Sequence, residues 1–151
     1  MSAGSVLRSL AVGGGGGTLV TDIGLLIVRV GFGSYMAVAH GLGKFKNLSG
    51  MTGYLQDLGL PMPGVMSATA GIVEFFGAIF LAIGIVTRPA ATALAGTMCV
   101  AAFVAHKNDP FFAAPGARSR EMAMLYLFVF VLFMLAGGGR FSLDYFLRKR
   151  G

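Results

Sequence analysis

Charged residues are scarce in this sequence: they make up 12% of its 151 residues, whereas hydrophobic residues make up 56%. Soluble domains carry about 25% charged residues. The shortage of charge therefore excludes an ordinary soluble domain and predicts an integral membrane protein. The length is sufficient for one domain.

Cysteine is almost absent, because Cys99 is the single one. One cysteine excludes an internal disulfide and a Cys-x-x-Cys redox pair, and it gives no indication of an oxidising compartment. We expect Cys99 to be a small buried hydrophobic residue rather than a reactive thiol.

Signatures of soluble catalysis and nucleotide binding are also lacking. The five glycines at 13–17 neither follow a strand nor begin a βαβ pattern, so they predict a flexible arm over residues 1–20 rather than a phosphate loop. No Gly-x-Ser-x-Gly motif occurs. The net charge of +6 comes from basic residues at the ends of apolar segments, which is typical of membrane topology, and we expect no nucleic-acid partner.

Four apolar stretches are present, at residues 23–42, 65–86, 90–105 and 122–136. After the first of them, Met51, Tyr54, Leu55 and Leu58 recur at helical spacing, which predicts an amphipathic helix too short to cross a membrane. The predicted fold class is all-α: an integral membrane four-helix bundle with a short interfacial helix after the first crossing.

The chain ends in a basic amphipathic stretch, which we expect to rest on an anionic inner leaflet. We therefore predict a membrane domain over residues 21–146 and a basic tail at 147–151. Four crossings put both termini on one side of the cell membrane. The Lys and Arg numbers on the two sides are nearly equal, but the clustered tail favours the cytoplasm for both termini.

Small residues recur along two of the predicted crossings. Gly33, Ala37 and Gly41 are four residues apart on the first crossing, and Gly77 and Gly84 are seven apart on the second. Stripes of this kind let neighbouring helices approach closely. We expect both stripes to be packing sites.

Two charged residues lie deep inside apolar stretches, Arg29 in the first and Glu74 in the second. A charge at the centre of a membrane helix costs roughly 2.5–3.5 kcal/mol, so each needs a partner in the bundle interior. We expect the two to approach each other. The pair could be a structural ion pair that holds two helices in register, or a polar site for a ligand, proton or electron carrier.

Further polar residues lie at the ends of the predicted crossings. His40 and Lys44 share one helix face at the membrane boundary, where Lys44 could instead serve as an interfacial anchor. The direction of the chain puts His106 in the same leaflet, opposite Arg88 and the basic tail. Two histidines in one leaflet could ligate a haem, but neither lies in a helical ligand motif, and we expect no metal site. The candidate ligand-binding residues are Arg29, His40, Lys44, Glu74, Arg88 and Glu121.

An ordered set of short motifs resembles the DoxX family of small four-helix membrane proteins. The set covers about residues 22–146 and consists of Arg29 with the glycines that follow it, HGLGKF at 40–45, GLPMPG at 59–64, Glu74, GIVTRPAA at 84–91, Glu121, and GGGRFSLD at 137–144. No single motif is specific, but their order is. The resemblance implies a four-helix membrane fold.

The same resemblance implies a setting in membrane redox chemistry. One branch of the family resembles subunits of a thiosulfate:quinone oxidoreductase, and other members associate with oxidative-stress proteins. We therefore expect an accessory subunit of a membrane redox or electron-transfer assembly, with the lipid bilayer and other membrane subunits as partners. It would have no intrinsic cofactor, quinone as a candidate ligand, and no self-contained catalytic cycle. The alternatives are a purely structural subunit and a carrier of a small solute or lipid.

Overall fold

The computed structural model describes residues 19–112 and 119–150, and all the regular secondary structure within these two ranges is helical. Three helices are long and apolar enough to cross a membrane: α1 (Leu19–Lys46), α3 (Pro63–Ile83) and α4 (Thr87–Ala105). The other helices are α2 (Leu48–Asp57), α5 (Glu121–Ala136) and α6 (Leu143–Arg150). The predicted N-terminal arm lies, except for its last two residues, outside the described residues.

Helix α5 is apolar but shorter than the three spans, with 16 residues. It corresponds to the fourth apolar stretch and begins at Glu121, one residue before that stretch. The predicted boundaries of the four stretches differ from the observed ones by four residues at most, and this largest difference occurs at both ends of α1, where the observed span is Leu19–Lys46 and the predicted one is 23–42.

Helices α1 and α3 approach closely through glycines. A Cβ at Gly33 would lie 2.9 Å from the carbonyl oxygen of Ala78, and a Cβ at Gly41 would lie 2.6 Å from the backbone nitrogen of Phe75. Ala37, between them, is buried. The predicted stripe of small residues on the first crossing is therefore confirmed as a packing site.

The short turn between α3 and α4 is held by the C-terminal segment. Gly84 ends α3 with a φ of +75°, and the Asp144 carboxylate accepts hydrogen bonds from the backbone nitrogens of Val86 and Thr87, both at 2.8 Å. Asp144 thus satisfies free N–H groups at the start of α4, as a capping residue does. Gly84 is a site of close packing, as predicted, but the prediction that it lies inside a helix was wrong, because it has the left-handed conformation that ends one.

The same end of the bundle contains two buried charges of α1. Arg29 donates through Nη2 to the carbonyl oxygen of Phe141 at 3.1 Å, and Asp22 accepts from the backbone nitrogen of Arg140 at 3.0 Å. A side chain at Gly84 would overlap the Arg29 guanidinium. The loop before α6 and the α3–α4 turn therefore enclose Arg29 from both sides.

The core lies between α1, α3, α4 and α5, and its largest fully buried apolar side chains are Phe130, Phe133 and Met36. Large apolar residues on the outer faces are exposed, as lipid contact requires. Cys99 is exposed with them, so the prediction that it is buried was wrong. An outward position costs a small apolar side chain little in a bilayer, because lipid tails are as apolar as a protein core.

Helix α2 confirms the predicted short helix and lies across the end of the bundle opposite Arg29. Leu55 on its inner face is 3% exposed. The hydroxyl oxygens of Thr52 and Ser67 are 2.6 Å apart, and the Tyr54 hydroxyl donates to the carbonyl oxygen of Ala105 at 3.0 Å. These contacts fasten α2 to the start of α3 and the end of α4.

Candidate functional site: a polar cavity at the α2 end

Each of the three spans contains a π-helical segment near the α2 end of the bundle. The segments are Met36–Gly41 in α1, Val73–Gly77 in α3 and Ala101–Ala105 in α4. Such segments are rare and often occur at functional sites, because the wider turn breaks the regular face of a helix. Here they surround one space.

That space is a partly enclosed cavity of about 510 Å³ lined by residues from all three spans, α2, α5 and the segment before it. Ligand cavities in proteins typically measure about 300–1,000 Å³. Its walls are largely apolar. The polar side chains among its lining residues are His40, Lys44, Asn47, Tyr54, Glu74, Thr97, His106, Ser119 and Tyr126.

Glu74 is the buried charge of this cavity, with 1% of its side chain exposed. Its Oε1 forms an ion pair with Nζ of Lys44, which is 21% exposed. Its Oε2 has no hydrogen-bond partner among the residues that the structure describes. A buried carboxylate oxygen needs a donor, so water, a proton or a ligand must supply one at this position.

The close approach of α1 and α3 brings this pair together. A Cβ at Gly41 would also lie 2.8 Å from the backbone carbon of Glu74, so the two backbones almost touch there. Lys44 follows Gly41 by three residues and therefore lies on nearly the same helix face. The glycine thus sets the distance between the cation and the carboxylate.

The expected pairing of Arg29 with Glu74 was wrong. Side chains on a helix lean towards its N-terminus, and α1 and α3 are antiparallel, so the two side chains lean towards opposite ends of the bundle. Arg29 reaches the level of Gly84, ten residues from Glu74, which is about 15 Å along a helix. Lys44 takes the place that the sequence analysis assigned to Arg29.

The other candidates divide between the two ends of the bundle. His40, Lys44 and His106 line the same cavity, which confirms their predicted grouping. Arg88 lies at the opposite end, where its Nη2 donates to the carbonyl oxygen of Leu135 at 2.7 Å. Glu121 begins α5 and is not among the cavity-lining residues.

Aromatic rings form one wall of the cavity. The Tyr126 ring meets the His40 ring edge-on, with centroids 5.4 Å apart, and stacks on Phe130 at 5.6 Å. Tyr126 is a lining residue that the sequence analysis missed. Its signal was present, since it is the one residue with a side-chain hydroxyl in the otherwise apolar stretch 122–136.

His106 lies at the edge of the cavity, where its Nδ1 is 2.7 Å from Oδ2 of Asp109. Both side chains are about a quarter exposed, at 27% and 28%. An imidazole therefore lies between the Asp109 carboxylate and the polar cavity.

The arrangement suits a small polar group that both accepts and donates hydrogen bonds. Lys44 supplies a charged donor, and Glu74 supplies an acceptor that can also take up a proton. Apolar and aromatic walls around these few polar groups are typical of sites for small organic molecules. The chemistry available is therefore binding and proton exchange.

Comparison with known proteins identifies the family. The DoxX family model matches residues 24–107. A protein of Haemophilus influenzae named only as uncharacterized is 38% identical over 115 residues, which is 74% of this chain and 81% of the relative. The inner membrane protein YqjF of Escherichia coli K12 is 30% identical over 132 residues, 85% of this chain and 95% of the relative. No solved structure gives a significant match. The resemblance seen in the sequence motifs is thus confirmed, and the chain belongs to the DoxX family of membrane proteins.

Proposed function

We propose that the cavity binds the polar head of a membrane-soluble quinone, and that the protein is an accessory subunit of a membrane redox assembly. The observation on which this rests is Oε2 of Glu74, a buried acceptor inside a ligand-sized cavity with no partner among the described residues. A quinone carbonyl accepts a hydrogen bond from Lys44. Oε2 of the Glu74 carboxylate accepts a hydrogen bond from a hydroxyl group of the reduced head, the quinol.

Proton exchange by Glu74 fits the needs of a two-electron carrier, because reduction of a quinone takes up two protons. The cavity supplies two neighbouring groups for this exchange, His40 and His106, both among its lining residues. The protein would thus contribute binding and protons, and the donor subunit would contribute electrons. A single cysteine cannot form a dithiol or bind an iron–sulfur cluster through four thiolates.

The rival functions differ in their need for this cavity. A purely structural subunit requires packed helices and no buried carboxylate with an open acceptor. A carrier of a small solute or lipid could use the same polar groups. The partly enclosed shape of the cavity is also compatible with a carrier. Tight, saturable quinone binding separates the proposal from both rivals.

Replacing Glu74 with Gln should weaken quinone binding about tenfold or more, because one charge-assisted interaction with the head is lost. The measurement is titration of a tailless benzoquinol, the reduced form, into the purified protein in lipid nanodiscs. Asp57→Asn removes an exposed carboxylate from α2 and should leave the affinity unchanged. Equal affinities for Glu74→Gln and the wild type would refute the proposal, as would steady quinone reduction by the isolated protein.

We further propose that α5 is a fourth crossing and that both termini are cytoplasmic. Helix α5 packs against α4, and the hydrogen bond from Arg88 to the carbonyl oxygen of Leu135 brings the end of α5 beside the start of α4, so the two helices are antiparallel. Single cysteines at Lys46 and Lys149, in a Cys99→Ser background, should then react with impermeant reagents from opposite sides of the membrane. Reaction of both from the same side would contradict four crossings.

A further inference from the structure

A second, apolar groove of about 440 Å³ lies between α1 and α5. Its floor and walls include Gly31, Phe32 and Tyr35 from α1 and Leu125 from α5. No residue that lines it carries a charge. It therefore suits a hydrocarbon chain better than a charged head group.

The groove adjoins the polar cavity. Met122 and Tyr126 line both spaces. The Tyr126 ring has its edge contact with His40 on the cavity side and a second one with Phe32 on the groove side, at centroid distances of 5.4 and 5.6 Å. Tyr126 therefore forms the boundary between the two spaces, and the tail of a molecule whose head lies beside His40 would pass this ring to reach the groove.

Gly31 gives the groove its depth. It is exposed on the outer face of α1, and a Cβ added there would meet no other atom within 4 Å. Because Gly31 has no side chain, a gap remains between Ile27 and Tyr35 on the surface of α1. The gap is about as wide as the one side chain that is missing. Such a gap suits a single chain better than the paired chains of a phospholipid.

We infer that the groove between α1 and α5 holds the single apolar tail of the ligand whose polar head lies in the cavity. The inference rests on the proposed function and adds the direction in which the ligand lies. The head is beside Glu74, the ring system passes Tyr126, and the tail leaves the protein between α1 and α5 into the bilayer.

The test uses a benzoquinone with a decyl chain that bears a photoreactive diazirine near its end. The probe is irradiated with the purified full-length protein in lipid nanodiscs, and the adducts are mapped by peptide mass spectrometry. We expect adducts on the groove residues of α1 and α5, and we expect an excess of tailless benzoquinone to suppress them.

Two variants of α1 give a matched comparison. Gly31→Phe fills the groove and should reduce these adducts about tenfold, because an overfilled site excludes its occupant. Gly24→Phe adds the same side chain seven residues away on the same helix face, where a Cβ also meets nothing within 4 Å, and should change nothing. Both variants should bind tailless benzoquinone as the wild type does.

The outcomes separate the two proposals. If tailless benzoquinone binds but the adducts scatter over the lipid-facing residues of all spans, the tail path is wrong and the head site stands. Unchanged adducts in Gly31→Phe would likewise overturn the tail path. A third result would also overturn the tail path: a phosphatidylethanolamine that bears the same diazirine labels the groove as strongly as the quinone probe does, and benzoquinone does not displace it. Failure of tailless benzoquinone to bind would refute the proposed function itself.

Discussion

Replacing Lys44 with Met is expected to destabilise the folded protein by about 3–5 kcal/mol, because the Glu74 carboxylate then stays buried without its cation. The double variant Lys44→Met with Glu74→Gln removes both charges and should recover most of this loss. The free energy of unfolding, measured in mild detergent by circular dichroism, gives the coupling between the two residues as a double-mutant cycle.

Lys46→Met is the control for Lys44→Met. Lys46 is exposed, lies two residues further along α1 and is not among the residues that line the cavity, so its loss should change the free energy of unfolding by no more than about 0.5 kcal/mol. Additive effects of the two substitutions at Lys44 and Glu74 would show that the ion pair does not hold these helices together.

Replacing Gly41 with Ala should have the second large effect, a loss of about 1–3 kcal/mol of stability together with loss of quinone binding. The added Cβ would lie 2.6 and 2.7 Å from the backbone nitrogen and Cα of Phe75. Backbone atoms inside a helix cannot move aside as a flexible side chain can. The two spans must therefore separate, and Lys44 moves away from Glu74.

Gly43→Ala supplies the matched control on the same helix. A Cβ at Gly43 would meet nothing within 4 Å, and the residue is exposed. Alanine has a higher helix propensity than glycine by about 1 kcal/mol, so this variant should be as stable as the wild type or slightly more stable. If both variants unfold at the same temperature, the account of the α1–α3 contact is wrong.

The sequence predicted the helices well, because long apolar stretches, their turn residues and the spacing of small residues are local signals. The chain direction also predicted correctly that His40, Lys44 and His106 lie at one end. These inferences need only the order of the elements and the regular rise of a helix.

The partners of the buried charges could not be predicted in the same way. Glu74 and Arg29 both looked unpaired in their apolar stretches, but the choice of partner depends on the direction in which each side chain leans and on distant segments of the chain. Arg29 contacts the backbone at Phe141, 112 residues away. The three π-helical segments likewise have no local sequence signal.

The proposed function is tested most directly by identifying what the protein binds in its own membrane. The full-length protein is extracted in mild detergent, purified, and its bound small molecules are identified by mass spectrometry, alongside Glu74→Gln and Asp57→Asn. We predict about one quinone per chain in the wild type and in Asp57→Asn, and a marked loss of it in Glu74→Gln, whose cavity lacks the carboxylate. Absence of quinone from the wild type, or equal amounts in all three proteins, would contradict the account.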